Sequence, residues 1–252
     1  MTEQVLIEVC VDLVASAEAA ERGGAQRVEL CSDLLEGGVT PSIGLMEVVR
    51  SRISIGLHVI IRPRAGDFLY ADEEFDIMCR DVEAAKAAGA DGVVLGILDP
   101  AGNVDIRRTR QIIDLARPLS ATFHRAFDMS ADLLRALEDA CATGADRLLT
   151  SGGEPTCFDG VATIAQLVKL GGDRIIVMAG GGIGVDNAAQ IIERTGVKEI
   201  HVGLGSPVTS PMLYCNPRVS LGKTLGREYD RTHVLEENVR KLRHAISPGI
   251  RK

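Results

Sequence analysis

The sequence predicts one (β/α)8 barrel of the TIM type, and three observations lead to it. A short phrase recurs in which glycine ends a helical stretch and an apolar strand begins, at Gly24-Ala25, Gly89-Ala90, Gly144-Ala145 and Gly196-Val197. Glycine relieves the left-handed conformation just past a helix end, so each phrase marks a helix-to-strand junction. Eight apolar runs of strand length alternate with segments of helical periodicity over roughly 200 residues, the pattern of a parallel barrel. The first strand-to-helix turn, Cys10-Val11-Asp12-Leu13, has no glycine. A doubly wound open sheet, the alternative, would carry its glycine-rich fingerprint there.

The elements follow in order. Residues 5–10 are an apolar first strand, and Asp12 stands where it would cap a helix over 13–22. After the first glycine phrase comes a strand at 27–31, then a helix at 43–52 with Ser42 at its start. A strand at 57–62 and a helix at 72–88 precede the second phrase, and a strand at 92–97 follows it. Asp105 heads a helix at 106–116, a strand spans 121–124, and Ser130 heads a helix at 131–143. Residues 147–151, 174–179 and 199–204 complete the strands, with helices at 158–170 and 185–195 between them. The stretch 206–230, with three prolines and scattered glycines, fits no element and reads as a long arm over the barrel mouth or across a subunit contact. An amphipathic helix at 234–246 closes the chain, so that 1–252 reads as one domain.

Composition narrows the function. The chain has 252 residues, of which 46% are apolar but only 3% aromatic, with no Trp, so its core is aliphatic. A net charge of −7 argues against a nucleic-acid partner, and so few aromatics leave no stacking platform for single strands. No apolar run reaches membrane-spanning length and no targeting segment precedes the first strand. Six irregularly spaced cysteines do not make a disulfide framework. They read as free thiols in a reducing cytoplasm.

The most informative motif occurs twice, as Glu8-Val-Cys10-Val-Asp12 and Glu29-Leu-Cys31-Ser-Asp33. Strand alternation puts Glu8 with Cys10, and Glu29 with Cys31, on one face. Ile7, Val9, Val28 and Leu30 take the other, against the helices. If the strands are neighbours, two thiols and two carboxylates converge inside the barrel near its C-terminal mouth, where barrel chemistry sits. The cysteines read as buried apolar fillers or as a soft-metal site, a disulfide between adjacent parallel strands being geometrically awkward. Two thiolates suit Cu(I), whereas Zn2+ would need His201 or Asp12 to complete four ligands. Glu8 and Glu29 read equally as partners of Arg62 or Arg125 in a buried ionic network.

Other polar groups gather at the remaining strand ends. Arg62, Arg64 and Arg125, with the glycine turn containing Gly181 and Gly182, form a candidate anion-binding set. Glu29, His124 and Asp128 are candidate proton-transfer groups, so the mouth also reads as that of an enzyme acting on a small phosphorylated or carboxylated metabolite. Cys79 and Cys141 fall in helices as core residues, while Cys157 and Cys215 fall in loops as exposed thiols.

Several segments resemble the copper homeostasis protein CutC family: E-V-C-V-D at 8–12, R-V-E-L-C-S at 27–32, E-G-G-V-T-P-S at 36–42 and R-P-R-A-G-D-F at 62–68. T-F-H-R-A-F-D-M at 122–129, L-T-S-G-G at 149–153, M-A-G-G-G-I at 178–183 and S-P-M-L-Y at 210–214 extend the match in order. The resemblance implies a TIM-barrel-like fold, a cytoplasmic protein with a role in copper handling, and a homo-oligomer. It also implies that Cu(I) binds the strand-end cysteines, Cys10 and Cys31 in this sequence. The chain departs from the family pattern at Ala65, where glycine is frequent. It departs again after His201, where Val202-Gly203-Leu204 lacks a hydroxyl the family usually carries.

Overall fold

A computed structural model describes residues 5–221 and 228–247. Eight parallel strands close into a barrel in chain order: β1 (Leu6–Val11), β2 (Arg27–Leu30), β3 (Gly56–Ile60), β4 (Gly92–Leu95), β5 (Ser120–Phe123), β6 (Arg147–Thr150), β7 (Ile176–Gly180) and β8 (Glu199–Val202). Seven helices alternate with them: α1 (Val14–Gly23), α2 (Ile43–Arg52), α3 (Asp72–Ala87), α4 (Ile106–Ala116), α5 (Leu133–Thr143), α6 (Val161–Gly171) and α7 (Ala188–Thr195). The predicted fold class is the observed one.

Alternation sorts the strand residues. Ile7, Val9, Val28, Leu30, Leu57, Val59, Val93 and Ile200 pack in the aliphatic layer beneath the helices, all fully buried. Their neighbours in sequence point inward and are polar to a degree unusual for a barrel core, since Glu8, Arg27, Glu29, His58, Thr122 and Glu199 are all buried. Inward glycines leave room for imidazoles in this crowded interior. A Cβ on Gly92 would meet the His58 ring at 2.5 Å, and one on Gly96 the His124 ring at 2.6 Å.

The glycine phrases end helices as expected. Gly24 at φ 92 and Gly144 at φ 84 occupy the left-handed region that any other residue would strain to adopt. Ser42 and Asp105 are true caps, accepting from the backbone N–H of Leu45 (3.2 Å) and Arg108 (2.9 Å). Two expected caps are not. β1 runs one residue past Cys10, so α1 begins later with Leu13 ahead of it, and Asp12 lies in the turn. Asp132 rather than Ser130 caps α5, because the segment from Arg125 to Met129 first makes a 3-10 turn on which the Ser130 hydroxyl is spent.

The arm contains structure that its sequence conceals. Its ends pair as an antiparallel ribbon, β9 (Gly205–Thr209) against β10 (Asp230–Val234), while 222–227 lie outside the described residues. Gly205 and Pro207 disguise β9, yet proline is tolerated in an edge strand. The ribbon is tied to α1 through Val234 N–H and the Ser16 hydroxyl, 3.1 Å, and to α8 (Glu236–Ile246) through Asn238 and Ser206, 2.8 Å. α8 buries Val239 and Leu242 against the barrel helices. Among the described residues, no helix is long and apolar enough to cross a membrane.

Candidate functional site

Cys10 is the penultimate residue of β1, and Cys31 is the first residue beyond β2. The register pairs Cys10 with Glu29, which puts Cys31 next along the same inward face. The two Sγ atoms are 3.6 Å apart, too far for a disulfide bond, and all six cysteines are free. Cys31 Sγ lies 3.6 Å from Glu29 Oε2. One ligand atom from each of Cys10, Glu29 and Cys31 falls within 4.8 Å of the other two. Cys31 and Glu29 are buried and Cys10 is half-buried, lining a cavity of about 370 Å³ with Asp12, Asp33, Leu34 and Gly203.

Beneath this trio runs an ionic layer. Arg27 is bonded to Glu8 and, at 2.5 Å, to Glu199, and Arg147 reaches Glu199 at 2.9 Å. Glu8 Oε1 also meets His201 Nδ1 at 2.8 Å, and His201 Nε2 stands 3.7 Å from Glu29 Oε2. Glu8 therefore pairs with Arg27 and His201, not with Arg62 or Arg125. The reason is register: Arg27 and His201 are the direct neighbours of Glu8 on the adjacent strands.

The environment separates the protonation behaviour of these groups. The hydrogen bond from Cys31 is the largest influence on Cys10, and with His201 beside it the Cys10 thiol is brought down to about 5 despite burial. Cys31, bonded to Cys10 and buried, moves well above the usual thiol range. Burial and the negative charge of Cys10 push the Glu29 carboxyl upward. Burial opposes charge on both Glu8 and His201, but Arg27 and His201 outweigh it at Glu8, which is held low. Cys10, Glu29 and Glu8 outweigh it at His201, which is held well above an ordinary histidine. The shifts run in opposite directions across the cluster, down at Cys10 and Glu8 and up at Cys31, Glu29 and His201.

The next part of the mouth is built from the ends of β3 and β5. The Arg62 guanidinium donates to the carbonyls of Glu36, Gly38 and Gly66 at 2.8–2.9 Å. Arg64 is paired with Asp67 (3.0 Å) and Glu74 (2.5 Å). Arg125 is paired with Asp128 at 2.7 Å and stands beside Gly181, where a Cβ would lie 3.5 Å from Arg125 Nη1. The Gly181 and Gly182 carbonyls accept from Cys157 N–H and the Asn187 amide, and α7 begins only at Ala188. Asp128 accepts from Thr150, Ser151 and Gly153, which holds the turn after β6. His124 accepts from Ala126 N–H through Nδ1, and burial with the nearby Arg62 charge lowers it to about 3. Glu29, His124 and Asp128 thus sit at three separate places, on β2, after β5 and against β6.

Arg27, Arg147 and Glu199 escaped the sequence reading as functional-layer residues, although alternation from Glu29 and His201 places Arg27 and Glu199 on the inward face. Phe68 was also missed. Its ring lies 5.1 Å from the Arg62 guanidinium carbon and 5.0 Å from the His124 ring. Cys157, expected in an exposed loop, is fully buried because Gly181 accepts its N–H and the loop folds inward.

Comparisons with known proteins agree with this architecture. The CutC family model matches residues 5–206. A CutC family protein of Xylella fastidiosa is 47% identical over 243 residues, covering 96% of this chain and 89% of the relative. The copper homeostasis protein cutC homologues of Mus musculus and Homo sapiens are 47% and 46% identical, over 97% of this chain and 90% of each relative. Among solved structures, CutC of Streptococcus agalactiae superposes with a TM-score of 0.74 at 33% identity, covering 79% of this chain and 98% of that one. Thiamine phosphate pyrophosphorylase of Pyrococcus furiosus shares the fold alone, with a TM-score of 0.57, 20% identity and 96% and 95% coverage. The chain belongs to the CutC family.

Proposed function

We propose that this protein binds Cu(I) as cargo in the cytoplasm, through the thiols of Cys10 and Cys31 with Glu29 beside them. The single observation that carries the reading is the approach of two free Sγ atoms to 3.6 Å with a carboxyl group in the same cluster. The donor set fits the ion, since Cu(I) prefers sulfur and accepts low coordination. Relatives named as copper homeostasis proteins support the same reading. The free cysteines support a reducing compartment. The ligand atoms that cluster are those of Cys10, Glu29 and Cys31, one short of the four that a structural zinc site takes. Competition with a chromophoric Cu(I) chelator tests the proposal, with wild type expected to hold the ion and the Cys10→Ser/Cys31→Ser variant expected to release it. Equal affinity in the two proteins would end it.

Self-association belongs to the same proposal. It is supported by the exposed apolar side chains of Leu213, Tyr214 and Leu221 on the arm. Sedimentation that returns a monomer at micromolar concentration would remove this part.

A further inference from the structure

The Arg62 side of the mouth contains polar atoms that the copper reading does not use. Arg62 and His124 are each 5% exposed, and Arg62 Nε and His124 Nε2 are buried without a hydrogen-bond partner. Thr122 Oγ1, two residues before His124 on the same inward face, is also buried and unpartnered. Because His124 Nδ1 accepts from Ala126, the ring proton of the neutral imidazole resides on Nε2, which makes that atom a donor. Leaving such donors dry is costly, of order 1–3 kcal/mol each, so each calls for a partner such as a ligand, an ion or a water.

The charge points the same way. Arg64 and Arg125 are neutralised by carboxylates, whereas the Arg62 guanidinium donates to neutral carbonyls and has the buried Tyr70 hydroxyl beside it. Those carbonyls fix the guanidinium in place without cancelling its charge. Phe68 lies against both Arg62 and His124. Its carbonyl accepts from Leu98 N–H at 2.9 Å, which ties the backbone there.

We propose that Arg62 and His124, with Phe68 as a movable cover, form a binding site for the carboxylate or phosphate group of a small organic anion. Arg62 Nε and His124 Nε2 donate to its oxygens, and Thr122 stands below them. The site is separate from the thiol pair but adjoins it. Arg62 donates to the Gly38 carbonyl at 2.8 Å, and a Cβ on Gly38 would lie 3.1 Å from Cys31 Sγ, so one loop residue touches both.

Calorimetric titration with inorganic phosphate and, separately, with malonate tests the proposal and distinguishes the two anion chemistries. Wild type is expected to bind at least one of them, and Phe68→Ala to bind it more tightly because no ring must move. His124→Leu is expected to weaken binding by roughly tenfold to a hundredfold, as for loss of a hydrogen bond to a charged group. His124→Gln, which keeps a neutral donor, should restore part of that loss. The Cys10→Ser/Cys31→Ser variant should bind the anion like wild type, so failure here and failure of the copper reading are distinguishable. If His124→Leu does not fold, the 15N resonance of His124 Nε2 in the wild type should move on saturation. No binding in wild type and Phe68→Ala would overturn the proposal. So would equal affinity in His124→Leu, or an unmoved Nε2 resonance, which would mean an adventitious ion only.

Discussion

The ionic layer of Glu8, Arg27, Glu199 and Arg147 and the rim of Cys10, Cys31 and Glu29 lie one pleat apart in the same barrel, yet they are finished differently. In the lower layer each charge has an opposite charge on another strand of the barrel. At the rim two thiols and a carboxyl converge, with the His201 imidazole beside them. Beside the rim, after β3 and β5, Arg62 and His124 retain unpartnered buried atoms. A buried polar group whose partners are complete holds the fold, and one whose partners are missing is available to a ligand.

The strongest way to break this contrast is to open the lower layer. Arg27→Leu removes the shared partner of two buried carboxylates, Glu8 and Glu199. It is expected to destabilise the protein by about 3–5 kcal/mol in urea unfolding. A loss below about 1 kcal/mol would mean that Glu8 and Glu199 are satisfied in another way.

An intermediate effect is expected from pH. His58 and His124 are held neutral mainly by burial, at about 4 and about 3 against an ordinary 6.5. The unfolded chain therefore takes up protons first as pH falls. The stability these residues contribute is complete above pH 6.5 and declines as pH drops through the window toward their folded values. His124→Gln should make the slope of stability against pH shallower in that window, by at most about 1.4 kcal/mol per pH unit. An unchanged slope would show that His124 is not the buried neutral base described here. His201 acts in the opposite sense, since its raised pKa adds stability at low pH that is lost as pH rises through its folded value.

The smallest effect belongs to the half-exposed, fully paired Arg64. Arg64→Ala should leave the unfolding midpoint nearly unchanged and should not alter anion binding. A loss of anion binding in this variant would move the proposed site toward the β3–α3 loop surface and away from Arg62.

The fold was legible because barrel strands repeat a simple rule, with aliphatic residues outward and glycine at the junctions, so Ile7, Val9, Val28 and Leu30 located the faces. The same rule placed Cys10 and Cys31 together. Alternation tells which side a residue faces but not which partner it meets. The arginines Arg62 and Arg125 therefore stood as candidate partners of Glu8, when strand register brings it to Arg27 and His201. The ribbon at the ends of the arm was hidden because Gly205 and Pro207 break the composition of a strand without preventing edge pairing with β10. Phe68 gave no local signal, since its meaning lies in two contacts made across the mouth.

Copper K-edge X-ray absorption on protein loaded with one equivalent of Cu(I) tests the central claim most directly. The account predicts a low-coordinate ion with sulfur as its principal neighbour, the sulfur signal being lost in Cys10→Ser/Cys31→Ser. A first shell of nitrogen and oxygen alone, or a sulfur signal that survives both substitutions, would contradict it.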